Sequence, residues 1–167
     1  PTMSHNTHDT RFDILFEPVQ IGPVRSKNRF YQVPHCNGMG HSKPHSLAAM
    51  RGVKAEGGWG VVCTEEVEIS PFSETAPYLE GRLWDERDMP ALRLMTDACH
   101  AHGALAGVEL CFNGYATPNR YSREIPIAPS HTPVRATDPI QARSMDKADI
   151  ANVRRWHRAA ALRARDA

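Results

Sequence analysis

The sequence has no long apolar run. Stretches such as Gly60 to Cys63 and Ala104 to Leu110 fall far short of the roughly 20 residues that cross a bilayer, so no membrane span is predicted. Charge of one sign is also missing: 20 basic against 19 acidic side chains leave a net +1, which supplies no field to draw in nucleic acid or anionic lipid. A small organic substrate is the partner class left. The opening, Pro1 to Arg11, lacks the apolar centre and small-residue cleavage site of a secretory signal. It reads as a disordered leader over 1–11, on a cytoplasmic protein. The four cysteines, at 36, 63, 99 and 111, include no CxxC pair, which argues against a disulfide framework or a structural zinc site. His41 and His45 stand four apart, but in a Ser/Pro-containing segment that does not keep one helical face, so no metal is expected. No GxGxxG follows the first apolar segment, which counts against a doubly wound dinucleotide-binding sheet.

What is present is length and apolar content for one core, 167 residues at 41% hydrophobic. Glycine, proline and helix caps divide the chain into three units, each an apolar strand, a loop and an amphipathic helix. The first unit has a strand from about Phe30 to Pro34, then a helix from about Ser46 to Glu56 closed by Gly57 and Gly58. The second has a strand from Gly60 to Glu66 and a helix opened by Asp88 and Pro90, with Leu92, Met95, Cys99 and His102 on its apolar side and Gly103 at its end. The third strand, Ala104 to Leu110, reads as buried on both faces and broken by Glu109. Residues 112–145 then form a loop too long to be a passive connection. A last helix opens at Asp146 with Asp149 answering the cap, and Ile150, Val153, His157 and Ala160 trace its buried stripe.

Repeated strand-loop-helix units predict an α/β fold, the N-terminal part of a TIM (β/α)8 barrel with about three βα units. Three parallel strands leave an open edge, and a closed barrel takes about 250 residues. The chain is therefore expected to be the N-terminal portion of a longer protein, with residues 12–167 as its ordered part.

The run Leu15-Phe16-Glu17-Pro18-Val19-Gln20-Ile21-Gly22-Pro23, with Lys27-Asn28-Arg29-Phe30, resembles the opening of Old Yellow Enzyme family barrels, where a short hairpin caps the barrel floor. The resemblance continues through Lys54 to Glu65 and His102 to Leu110. Within that family, Arg29-Phe30-Tyr31-Gln32-Val33-Pro34-His35-Cys36 is similar to the flavin-bearing segment of the trimethylamine and dimethylamine dehydrogenase branch. Dimethylglycine demethylase-like proteins share that pattern. The resemblance implies an FMN-dependent oxidoreductase that oxidatively demethylates an N-methylated amine. It also implies a 4Fe-4S cluster and catalytic Tyr/His/Asp residues beyond this chain, and an electron-transfer flavoprotein as acceptor. No catalytic residue is assigned within these 167 residues, which alone should be inactive.

By the same resemblance, Cys36 contacts the flavin, as a 6-S-cysteinyl link or as a non-covalent neighbour. Val33, Pro34 and His35 line the cofactor. Glu109 stands where the family usually has Gln against the flavin pyrimidine edge and where the amine dehydrogenase branch has Glu. A carboxylate within an apolar strand also demands a donor partner on physical grounds. Glu66 falls where the trimethylamine enzyme has a tyrosine of its aromatic bowl. It is assigned to cofactor and substrate binding, as an acceptor for an N–H-bearing amine. Thr64 and Glu65 are expected to be structural, and Trp59, Trp84 and Trp156 to be core. Arg120 and Arg123, in the long loop, are candidates for a carboxylate or phosphate. Two alternatives stand: an ene-reductase or dienoyl-CoA reductase of the same fold, and a non-catalytic truncated piece. The sequence leaves homo-oligomerisation open.

Overall fold

Local hydrogen-bonding rules set most element boundaries. The computed structural model describes residues 9–76, 78, 80–135 and 139–167. Residues 1–8 of the expected leader lie outside these. Residues 9–11 do not belong to a disordered leader, because the Asp9 carboxylate accepts from Arg11 N and caps a 3-10 helix, Thr10–Phe16. A hairpin follows, β1 (Val19–Ile21) antiparallel to β2 (Val24–Ser26). Its two-residue turn needs Gly22, which sits at φ +54°.

The first parallel strand, β3, spans Tyr31–Gln32, shorter than the predicted 30–34. Pro34 has no N–H for the ladder, and the chain leaves the sheet there, held alongside by His35 N on Thr64 O at 3.3 Å. Helix α1 (Pro44–Glu56) starts two residues earlier than predicted, with proline in its first turn and Gly57 as its cap. The central strand β4 (Val61–Glu68) runs two residues beyond the predicted end. A two-residue strand that the sequence did not suggest, β5 (Gly81–Arg82), comes next. Asp85 caps a 3-10 turn, Glu86–Asp88, that leads into α2 (Met89–His100). The effective cap is thus three residues before the predicted Asp88. Leu92, Met95, Thr96 and Cys99 are buried. His102 lies past the helix end in an exposed turn that Gly103 closes at φ +65°.

Strand β6 (Leu105–Cys111) pairs parallel with β4 along its length. On the other side of β4, β3 pairs with Val61 and Val62, and β5 with Val67 and Glu68. The strands β3, β4 and β6 are therefore parallel and sequential. The expectation that β6 is buried on both faces fails: its residues are half-buried and Glu109 is exposed, because within this chain β6 is a sheet edge.

The predicted long loop contains a small sheet of its own. Strands β7 (Ile127–Ala128), β8 (Thr132–Pro133) and β9 (Gln141–Ser144) are ordered β7-β9-β8, around buried Ala128, Val134 and Ala142. Helix α3 (Lys147–Asp166) opens with Asp146 and Asp149 capping reciprocally, as predicted. Its predicted stripe is buried at Ala160 but not at Ile150, which is 49% exposed.

The outer face of the sheet carries the apolar core. Leu47, Ala48 and Ala55 of α1 meet Met95 and Cys99 of α2 over Val62, while Val67, Ile69, Leu83 and Leu92 meet Ala160 of α3. The tryptophans are less buried than predicted. Trp59 is 37% exposed at the edge of Phe30, the Arg82 guanidinium covers Trp84, and Trp156 stacks on Phe72 and Phe112.

The inner face is tight at one point, where a Cβ on Gly107 would lie 2.4 Å from Cys63 Sγ. Gly107→Ala is expected to cost about 1–3 kcal/mol through overpacking, read as a lower urea midpoint. Adding Cys63→Ala should restore most of it.

Candidate functional site

Two residues of β4, Thr64 and Glu65, face one residue of β6, Val108, between the pairs Cys63↔Gly107 and Glu66↔Glu109, so β4 carries one extra residue. Such a bulge resets side-chain alternation. Its effect is visible in the packing, since Val62 and Val67 are five residues apart yet both join outer-face clusters. On β6, Val108 and Leu110 pack outward, so Gly107, Glu109 and Cys111 point inward. Cys63, Glu66 and Glu68 share that inner side, with Cys63 Sγ hydrogen-bonded to Tyr31 Oη at 3.0 Å.

Glu65 turns outward and is fully buried. One of its oxygens accepts from Asn37 N at 2.9 Å and Gly38 N at 3.0 Å, and the other from Gly40 N at 2.5 Å. Gly40 permits this approach: a Cβ there would collide with Glu65 Oε1 and with the backbone of Gly81. From below, buried Arg51 of α1 donates to His35 O at 2.7 Å and to Gln32 Oε1 at 2.8 Å. The loop bearing Cys36 is thus clamped on both flanks, which makes the predicted structural role of Glu65 concrete.

Cys36 is exposed. Partial desolvation pushes its thiol up, Glu66 N–H donating to the sulfur opposes this, and the nearby charges of Glu80, Glu66 and Glu65 add to the rise. Donor atoms of Cys36, Glu66 and Glu80 lie within 4.8 Å of one another. That spacing would suit a cation, but burial followed by the charges of Glu66 and Glu65 pushes Glu80 up to about 7. The Cys36 thiol beside it is raised as well. Glu80 Oε2 is shut off from solvent and has no hydrogen-bond partner among the described residues.

Glu68 is fully buried. Its Oε1 accepts from Thr75 N at 2.6 Å and Ala76 N at 3.1 Å, while its Oε2 has no partner among the described residues. Desolvation outweighs those two amides and carries it to about 7. Thr75 Oγ1 also donates to Glu66 Oε1 at 3.5 Å. Cys111, half-buried, is pushed up to about 12 by burial and then by the charges of Glu66 and Glu109.

Of the residues singled out from sequence, Cys36, Glu66 and Glu109 share the inner side, with Glu66 the common neighbour. Val33 is 63% exposed, His35 is exposed and Pro34 half-buried on the approach to Cys36. Contrary to expectation, Glu109 needs no donor partner within this chain, because it is exposed and its carboxylate keeps its water. Its backbone N–H donates to Thr64 Oγ1 at 3.2 Å. Arg120 and Arg123 belong to a separate turn, where Asn119 at φ +52° and Arg123 at φ +63° follow an Asn119–Glu74 anchor. Sequence reasoning missed Glu80, Glu68 and Cys111. Glu80 sits in an irregular loop with no periodicity, and the bulge that turns Glu68 inward leaves no sequence mark.

Truncating Glu65 to alanine should cost about 2–4 kcal/mol by stranding three amides, with faster hydrogen exchange at Asn37, Gly38 and Gly40. For Glu68 the folded form holds its proton more tightly than the unfolded chain, so its contribution is favourable at low pH and is lost as pH climbs from the ordinary carboxyl range through about 7. Stability should fall by up to about 3 kcal/mol across that window. Glu68→Gln should flatten the slope, as read by urea unfolding at several pH values.

The family model for NADH:flavin oxidoreductase / NADH oxidase matches residues 14–167. Dimethylamine dehydrogenase from Hyphomicrobium sp. (strain x) is 50% identical over 122 residues, which are 73% of this chain and 17% of that protein. Histamine dehydrogenase from Rhizobium sp. 4-9 superposes with a TM-score of 0.90 at 55% identity, covering 95% of this chain and 24% of that one. The 6-hydroxypseudooxynicotine amine oxidase HisD from Pseudomonas geniculata N1 superposes at 0.88 with 49% identity, covering 94% and 24%. The chain therefore spans 17 to 24% of the length of these relatives. Its α/β architecture is the N-terminal part of a TIM (β/α)8 barrel, in which β3, β4 and β6 are the first three barrel strands.

Proposed function

Because the chain belongs to the NADH:flavin oxidoreductase / NADH oxidase family, we propose that it forms, through residues 12–167, the first part of an FMN-binding barrel in an amine dehydrogenase acting on a small N-methylated amine. The observation that carries this reading is the inner side of the sheet, where Cys36, Glu66 and Glu109 stand at strand ends on the active-site face of such barrels. Three relatives with half or nearly half of their aligned residues identical are named for amine oxidation, which favours this over alkene reduction.

The residues fit FMN. Val33, apolar and 63% exposed, offers a surface for a planar ring, with Pro34 and His35 beside it. The exposed Glu109 carboxylate can accept from a ring N–H edge, and the Cys36 sulfur stands ready for a thioether. Bound FMN would supply the two-electron oxidation of the substrate carbon next to nitrogen. Glu66 would accept an N–H of the amine and hold it against that ring, a contact that an aromatic residue at this position would replace with cation–π attraction. Electrons would then pass through a 4Fe-4S cluster to an electron-transfer flavoprotein, in a cytoplasmic enzyme. Among the described residues no helix is long and apolar enough to cross a membrane.

The test is anaerobic titration of the full-length protein. Dimethylamine or another N-methylated amine should bleach the flavin absorbance and release formaldehyde. Bleaching by NADPH with turnover of an activated alkene, and no response to amines, would refute the reading. Glu66→Gln should raise KM about 10- to 100-fold by removing a charge-assisted hydrogen bond, with a smaller change in kcat.

A further inference from the structure

We propose that Glu80 is the proton acceptor that turns the Cys36 thiol into the nucleophile for its bond to the flavin. The inference rests on the reading that Cys36 carries FMN covalently, and it assigns the step to a residue outside the loop that bears the cysteine. Three observations converge on Cys36. Its sulfur lies within 4.8 Å of the Glu80 and Glu66 carboxyl oxygens, and Glu66 N–H donates to it. The Glu80 side chain hydrogen-bonds with Cys36, and among the described residues its Oε2 is dry and without a partner, so it has room for a proton. A thiol so placed meets one donor, which steadies the thiolate, and one acceptor, which takes its proton.

The other charged groups facing the sulfur are Glu65 and Glu66 of β4 and Arg51 of α1. Glu65 has both oxygens engaged by the backbone amides of 37–40. Arg51 spends two nitrogens on Gln32 and His35. Glu66 is the rival acceptor, but its Oε1 already receives Thr75 Oγ1. Burial and the neighbouring charges also bring Glu80 to about 7, close enough to the thiol range for transfer in either direction.

Cys36 Sγ–H gives its proton to Glu80, and the sulfur forms a carbon–sulfur bond at ring position 6. The hydrogen on that carbon leaves as a proton. The two electrons released reduce dioxygen, which takes both protons and becomes hydrogen peroxide.

The experiment uses full-length enzyme purified without flavin, then mixed with FMN in air. Adduct formation is followed by the mass of the acid-denatured protein, and FMN binding by quenching of flavin fluorescence. Near neutral pH, Glu80→Gln should bind FMN but form the adduct about 100-fold more slowly. It should recover as the pH is carried above the ordinary thiol range, where the raised Cys36 thiol ionises unaided. Glu80→Ala should recover when formate is added to fill the space. Wild-type rates in Glu80→Gln near neutral pH would overturn the proposal. So would slowing that neither alkaline pH nor formate relieves, since that marks a purely structural role. A wild-type enzyme that releases its flavin on denaturation would instead overturn the covalent reading, and the proposal with it.

Discussion

A carboxylate taken out of water needs donors, a counter-cation or a proton, and β4 delivers three of them within four residues. Each finds a different answer. Glu65 turns to the outer side and is satisfied by three backbone amides of the loop bearing Cys36. Glu68 reaches two amides with one oxygen, leaves the other unpaired among the described residues and rises to about 7. Glu66 stays half-exposed beside Cys36 and Glu80. The bulge decides these fates, for a strictly alternating strand would put Glu66 and Glu68 on the opposite side from Cys63.

The same device recurs around the strand ends. Glu74, buried, accepts from Tyr121 N and Ser122 Oγ, and buried Asn119 accepts from Glu74 N. Asp88 accepts from Trp84 N and pairs with Arg82 at 2.8 Å. Loops at a barrel mouth cannot be fixed by apolar packing alone, because their amides would be left without partners. Charged acceptors under the loops solve this at roughly 1.5–3 kcal/mol per bond to a charge. The consequence for chemistry is that Cys36, though exposed, stands on a loop whose amides are held by Glu65 and whose His35 carbonyl is held by Arg51.

Much of the architecture was legible because parallel strands and amphipathic helices write strong periodicities. The order of elements, the Asp146–Asp149 cap and the closures at Gly57 and Gly103 follow from residue types alone. The small sheet of β7, β8 and β9 was not legible, since two-residue strands carry no period. Nor was the shape of the α3 stripe. Contacts of Trp156 with Phe72 and Phe112 set that helix's buried side as much as its own pattern does. At the site, Cys36 was readable through resemblance and Glu66 through its departure from it. Glu80 came into reach through the path of a loop, which no local pattern encodes.

Glu109 marks where a burial argument meets an open sheet edge. The sequence reads β6 as covered on both faces, as parallel strands usually are, and a carboxylate inside such a strand calls for a donor. In this chain the inner side is open over much of its extent, though Cys63 and Glu68 are buried: Tyr31 is 50% exposed, Val33 is 63% exposed and Glu109 is open. The outer side, by contrast, is dry around Val62, Met95 and Cys99. One sheet therefore has a finished face and an unfinished one, and the unfinished face gathers Cys36, Glu66, Glu80 and Glu109. On the proposed reading, later barrel strands and FMN cover that face. The donor that Glu109 calls for is then an N–H of the cofactor and not an arginine of the chain.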